Sequence, residues 1–242
     1  MTYTINFITI LFFKISNKLI KNNNLKVKLF SSKKILENNF RNKINFIQVG
    51  ANDGVSFDFL FDFLNTRDSE GVVIEPIKEY FLELKKNYSQ NNNIVKINKA
   101  IHNSEKKISI YKIDPNAVYK YPDWVRGIAS LDQSHHKKLN IESKDIINEI
   151  VEADSFMNVM NQNLKNFDLD YLQIDTEGFD YEILKMINFS IIKPKLIKFE
   201  SVNLSISDKQ SANLLLVCNG YYLFDELGDT VAIDLKRIKL KL

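Results

Sequence analysis

The chain has 242 residues, of which 45% are hydrophobic and 26% charged, and its formal net charge is only +3. That supplies one substantial core with a short appendage, while the near balance of charge argues against a nucleic-acid binder. Heavy use of Lys, Asn and Ile beside rare Arg reflects an AT-rich coding sequence rather than a basic surface. The single cysteine, Cys218, excludes an intrachain disulfide and a cysteine-based zinc site, and it fits a reducing, cytoplasmic compartment.

In chain order, "INFITILFF" (5–13) is apolar and then meets Lys14, Lys18 and Lys21. It is far shorter than the roughly 20 residues that cross a bilayer. A signal peptide would put its positive charges before the run and small residues after it. An amphipathic helix therefore remains, packed on the core or in peripheral contact with a membrane, with packing preferred. Residues 1–43 form a helical appendage, and the Asn-rich stretches at 21–24 and 90–93 read as turns.

From residue 44 to 242, β-branched runs alternate with helical segments. "INFIQV" (44–49) leads into a helix at 56–66, on which Phe57, Leu60, Phe61 and Leu64 make one buried stripe. "GVVIEP" (71–76), a helix at 77–89 and "NIVKINKAI" (93–101) follow. The irregular stretch at about 114–140 holds the only Trp and two of the three His, and it reads as a lid or acceptor loop. "LDYLQID" (169–175), a helix at 179–187 and "PKLIKFES" (194–201) continue the alternation. The hairpin 220–227 and 230–235, turning at Gly228-Asp229, closes the sheet with an antiparallel edge. The expectation is an α/β fold: a mostly parallel sheet, helices on both faces and an antiparallel C-terminal hairpin.

Two of the seven glycines, Gly50 and Gly54, sit where the first strand feeds its helix. Glycines there let the backbone approach a ligand and turn tightly. Glu75 ends the second strand about 20 residues on, where a carboxylate accepts hydrogen bonds from a ribose diol. The G-x-x-x-G spacing differs from the G-x-G-x-x-G that grips a pyrophosphate. S-adenosylmethionine, which has a ribose but no diphosphate, suits this pattern better than a nicotinamide dinucleotide. Its adenine would lie near "KAIHN" (99–103).

"FIQVGANDG", "VVIEPIKEYF", "INKAIHNSEKKISIYKI", "DWVRGIASL" and "YLQIDTEGFDYEILK" together resemble the FkbM-type family of S-adenosylmethionine-dependent methyltransferases, from about Ile44 to Asp234. The resemblance implies the Rossmann-like class I methyltransferase fold, with seven strands of which one is antiparallel. It implies O-methylation of a sugar or other small hydroxylated acceptor, in surface-glycan or secondary-metabolite biosynthesis. Gly50, Asn52 and Gly54 match the family's cofactor loop, Glu75 its ribose ligand, and Ala100 and Ile101 the strand end near the adenine. Asp175 matches the acidic residue beside the methyl donor. Gln48 stands where many methyltransferases carry an acid for the cofactor ammonium, a contact that would pass to Asp53, Asp175 or a backbone carbonyl.

A sugar hydroxyl needs a general base, and the candidates are His135, His136, Asp175, Glu177 and Glu200. His135 comes first, as an imidazole within the loop of the resemblance. Asp175, Glu177 and Glu200 alternatively form a site for Mg²⁺. Tyr121, Trp124 and His136 are the candidate acceptor contacts, the two aromatics as a stacking face for a sugar ring. The non-enzymatic rival is a glycan- or nucleotide-binding module on the same fold.

Overall fold

The computed structural model describes residues 2–19, 31–57, 59–164 and 168–240. In chain order the first elements are α1 (Thr2–Leu19), α2 (Ser32–Asn39), β1 (Lys43–Val49), α3 (Leu60–Asn65), β2 (Asp68–Ile74), α4 (Lys78–Asn87) and β3 (Ile94–Ile97). Next come β4 (Ala100–Ile101), β5 (Lys107–Ile113), α5 (His135–Lys138), β6 (Ile146–Asp154) and α6 (Phe156–Asn163). The chain closes with β7 (Tyr171–Ile174), α7 (Asp180–Met186), β8 (Leu196–Glu200), α8 (Ile206–Cys218), β9 (Tyr222–Glu226) and β10 (Asp229–Ile233).

Seven strands make the main sheet in the order β3-β2-β1-β7-β8-β10-β9. β1, β2, β3, β7 and β8 pair in parallel, and β10 runs antiparallel to both of its neighbours. Side chains alternate across a strand, so β1 and β2 feed two cores. Ile47, Val49, Val72 and Ile74 pack under α6, α7 and α8. Ile44, Phe46 and Val73 pack with Leu36 of α2, Leu60 and Leu64 of α3 and Leu84 of α4. Serine caps start several helices: Ser155 accepts from the Asn158 N–H and Ser205 from the Asp208 N–H.

Several boundaries differ from expectation. The first helix is short, and Phe57 precedes it at 48% exposure, so the apolar periodicity at 57–64 merges a core stripe with a ligand-facing residue. The run 93–101 divides, because β3 joins the main sheet while β4 pairs with β6 in a second sheet of order β4-β6-β5. The hairpin turns on Leu227 and Gly228, at φ 53° and 103°, and Asp229 pairs directly with Glu226. Positive φ at both central residues matches the right-handed strand twist. The turn expected at 21–24 lies outside the described residues.

The stretch 114–140 forms one wall, tied to its surroundings at several points. Tyr111 and Ser130 exchange both backbone hydrogen bonds, at 2.8 and 3.0 Å. Arg126 pairs with Glu83 of α4 at 2.9 Å, and Val125 and Ile128 pack with Ile113 of β5 and with Ile141.

The first helix docks onto the last residues. Asn6 donates to the carbonyls of Leu235 (2.8 Å) and Ile238 (2.6 Å) and accepts from the Leu240 N–H at 2.9 Å. Ile10, 4% exposed, joins the core beside Ile238 and Leu240. At α2, the Ser32 N–H donates to the Glu226 carboxylate, which ties that helix to β9. Asn6→Ala leaves three buried backbone groups without their partner. It should lower unfolding stability by about 1–3 kcal/mol, measured by denaturant titration; an unchanged midpoint would mean the docking carries no stability.

Candidate functional site at the carboxyl edge of the sheet

The site follows from register. Val49 of β1 aligns with Ile74 of β2 and Ile174 of β7, and Ile174 aligns with Phe199 of β8. The residues one step further, Glu75, Gly50, Asp175 and Glu200, therefore form a row along the carboxyl edge. The strand order reverses between β1 and β7, where open α/β sheets leave a crevice. A cleft of about 490 Å³ opens there.

Gly50 makes the row possible. A Cβ on it would lie 1.7 Å from the Asp175 carbonyl oxygen, and its φ is +77°. At Gly54, φ +79°, a Cβ would stand 2.6 Å from the Tyr88 ring. The loop then closes on Glu75: the N–H groups of Asn52 and Ile77 each donate to one of its oxygens at 2.8 Å. Burial pushes Glu75 up to about 7, and those two bonds oppose the rise. Asn52 is itself left-handed, and its side chain donates to the Arg126 carbonyl at 2.9 Å, linking the loop to the wall.

At the other end three carboxylates converge. Asp175, Glu177 and Glu200 each place an oxygen within 4.8 Å of the others. Glu177, with φ 54°, turns back toward the row just before Gly178, and its carbonyl accepts from the Ser130 hydroxyl at 2.8 Å. One amide holds two of the acids, since Asn203 Nδ2 donates to Glu177 Oε2 (2.8 Å) and to Glu200 Oε1 (2.9 Å). Glu200 Oε2 has no hydrogen-bond partner among the described residues. Burial and the nearby Glu177 and Asp180 push Glu200 up to about 8. Asp175 is exposed to the cleft, yet the desolvating protein around it, with Glu200 and Glu177 beside it, holds its carboxyl well above the usual carboxylate range. Asp180 is wholly buried beneath them and pins the turn, accepting from the Thr176 hydroxyl (2.8 Å) and the Glu200 N–H (3.1 Å).

Gly50, Asn52, Gly54, Glu75, Ala100, Ile101, Trp124, Asp175, Glu177 and Glu200 all line the cleft. Four candidates do not. Asp53 faces away and organises the loop, accepting from the Val55 and Ser56 N–H groups and the Ser56 hydroxyl. Burial pushes its carboxyl up, but those bonds outweigh it and hold it below the ordinary value. Tyr121 donates to Asp145 at 2.8 Å and anchors the wall to the start of β6. His136, 6% exposed, contacts the Ser143 hydroxyl at 3.0 Å. His135 is buried behind Glu177, with Nε2 3.0 Å from Oε2 but off the line of a hydrogen bond. It lies outside the cleft lining, at the start of α5. The sequence reading missed Asn203, Phe57 and Phe179. Asn203 had one readable signal, a polar residue just beyond the carboxyl end of a strand.

This strand order and edge cleft define the Rossmann-like class I methyltransferase fold. The family model "Methyltransferase FkbM domain" matches residues 48–227, and the chain belongs to that family. Among solved structures, it is similar to the methyltransferase FkbM from Methylobacillus flagellatus KT at 14% identity and TM-score 0.48, covering 78% of this chain and 43% of that one. The chain thus spans less than half of that protein. A precorrin-6y C5,15-methyltransferase from Geobacter metallireducens GS-15 is similar at 12% identity and TM-score 0.42, covering 89% of this chain and 90% of that one. No curated protein matches the chain.

The carboxylates set a pH dependence. In the unfolded chain Glu75 and Glu200 return to the ordinary 4.5, whereas folded they stand at about 7 and about 8. Between those values the native state binds more protons, so their contribution is full below about pH 4.5 and is lost as pH rises to about 8. The melting temperature of the ligand-free protein should fall between pH 5 and 8, and Glu200→Gln should flatten the upper part of that fall. A wild-type curve that rises over this range would contradict the assignment.

Proposed function

We propose that the protein is an S-adenosylmethionine-dependent O-methyltransferase acting on a hydroxyl of a sugar or other small polyhydroxylated acceptor. The observation that carries this reading is the single cleft joining the Gly50–Glu75 end of the row to the Asp175–Glu177–Glu200 end. The cofactor fits the first end. Glu75 spends one lone pair of each oxygen on the loop and keeps the others for a ribose diol. Beside it, Ala100, Ile101 and Ile108 offer an apolar shelf for a purine. S-adenosylmethionine supplies a methyl group already activated on a sulfonium, so the chain's task is to align an acceptor oxygen and accept its proton.

Glu200 is the group for that proton. It lines the cleft, and its raised basicity suits proton acceptance near neutral pH. Asn203 holds the neighbouring Glu177, which accepts a second acceptor hydroxyl. Among the described residues, Lys99 is the only cation lining the cleft, and it belongs to the β4 side. Lys198 acts on Asp175 but is paired with Asp229 at 2.8 Å, so the acid-rich end of the cleft disfavours phosphate or carboxylate near the reacting oxygen and the acceptor is neutral or cationic there. Surface-glycan or secondary-metabolite biosynthesis in the cytoplasm is the setting consistent with this chemistry and with the single Cys218. The convergence of three carboxylates also favours a second reading, in which Mg²⁺ on Asp175, Glu177 and Glu200 orients the acceptor hydroxyls. Full activity in EDTA would exclude it.

Calorimetric titration tests the cofactor. S-adenosylhomocysteine should bind at micromolar affinity and NAD⁺ should not, with Glu75→Gln weakening the former by about tenfold or more; absence of S-adenosylhomocysteine binding would overturn the reading. The base is tested separately, using radiolabelled methyl donor and a panel of free and nucleotide-linked sugars. Glu200→Gln should slow transfer about 10²- to 10⁴-fold with cofactor affinity kept, and the wild-type rate should climb with pH toward about 8. Unimpaired turnover in that variant would leave Asp175 as the base.

A further inference from the structure

The first helix is apolar on two sides. Its inward side carries Asn6 and Ile10 into the contact with residues 235–240. On the outward side Tyr3, Ile5, Phe7, Ile8, Leu11 and Phe12 stand between 49% and 62% exposed. Tyr3–Phe7–Leu11 and Ile8–Phe12 follow the i, i+4 spacing that makes neighbours on a helix surface, so the six form one strip. A helix hydrophobic all round is normally covered all round, and a contiguous strip of this kind marks an interaction surface. No described helix is long and apolar enough to cross a membrane, which leaves attachment by a face.

Charge identifies what covers it. Residues 1–36 contain seven lysines and no Asp or Glu. All 30 acidic residues of the chain therefore lie beyond position 36, against 26 of its 33 basic ones, so the rest of the chain is net negative. The positive excess is confined to the segment that also presents the apolar strip. A second copy of this segment would bring like charge to like charge, whereas an anionic bilayer offers both an apolar interior and negative headgroups. Stable attachment takes two such signals acting together, since each alone gives marginal binding.

We propose that α1 docks the protein flat on an anionic lipid surface, with the Phe7–Phe12 strip in the headgroup–acyl boundary and the net positive charge of residues 1–36 adding attraction to the headgroups. The test is co-sedimentation of the full chain with vesicles of phosphatidylcholine and phosphatidylglycerol (3:1), and with vesicles of phosphatidylcholine alone. The expected result is binding to the anionic vesicles at least about tenfold tighter than to the neutral ones. It should be lost in the double variant Phe7→Ser, Phe12→Ser, whose melting temperature stays at the wild-type value because both side chains point outward. Failure of the wild type to bind anionic vesicles, equal binding to both compositions, or equal binding by the double variant would each overturn the proposal. A dimer in sedimentation velocity that the double variant dissociates, with no vesicle binding, would assign the strip to a second copy instead.

Discussion

The approach of β1 to β7 is the constraint on which the site depends. The Asp175 N–H donates to the Val49 carbonyl at 2.9 Å, and this bond brings the ends of two strands distant in sequence into contact one residue before the sheet stops. Only a residue without a side chain fits the resulting gap, which is why Gly50 is there. From that contact outward, parallel pairing places Glu75 on one side and Glu200 on the other with no further adjustment. A ligand lying along the edge then meets a ribose-type acceptor, a tight backbone turn and a group of acids in one line.

The acids are crowded, and crowding has a use. Three carboxylates within 4.8 Å would repel one another if all were charged, so burial and proximity keep protons on some of them near neutral pH. Supporting groups hold the cluster without neutralising it: Asn203 bridges two acids and Asp180 pins the turn beneath. A partly protonated cluster can donate to one hydroxyl of a polyol and accept from another.

How much of this was legible in the sequence depends on what each feature is made of. Gly50, Glu75, Asp175 and Glu200 could be read because each follows an apolar strand run, and strand ends in an alternating α/β pattern converge on one edge. The parallel sheet and closing hairpin were legible for the same reason. The placement of His135 and Tyr121 outside the cleft lining was not legible, since it depends on the path of residues 114–140 and no periodicity encodes that path. The wall is held by particular contacts, Ser130 with Tyr111 and Arg126 with Glu83, which only the folded chain assembles. Phe57 misled differently: an apolar residue at helical spacing looks the same whether it enters a core or faces a ligand. The split of 93–101 between two sheets was hidden because both strands are short and lie only two residues apart.

The clamp of Asn6 on residues 235–240 also bears on the order in which the protein is made. These partners are more than 220 positions apart, and every intervening strand and helix leaves the ribosome first. At about 5–20 residues per second, α1 waits on the order of ten seconds or more with neither apolar side covered by its own chain. During synthesis this helix is therefore an apolar segment that must wait for nearly the whole chain before its inward side is covered.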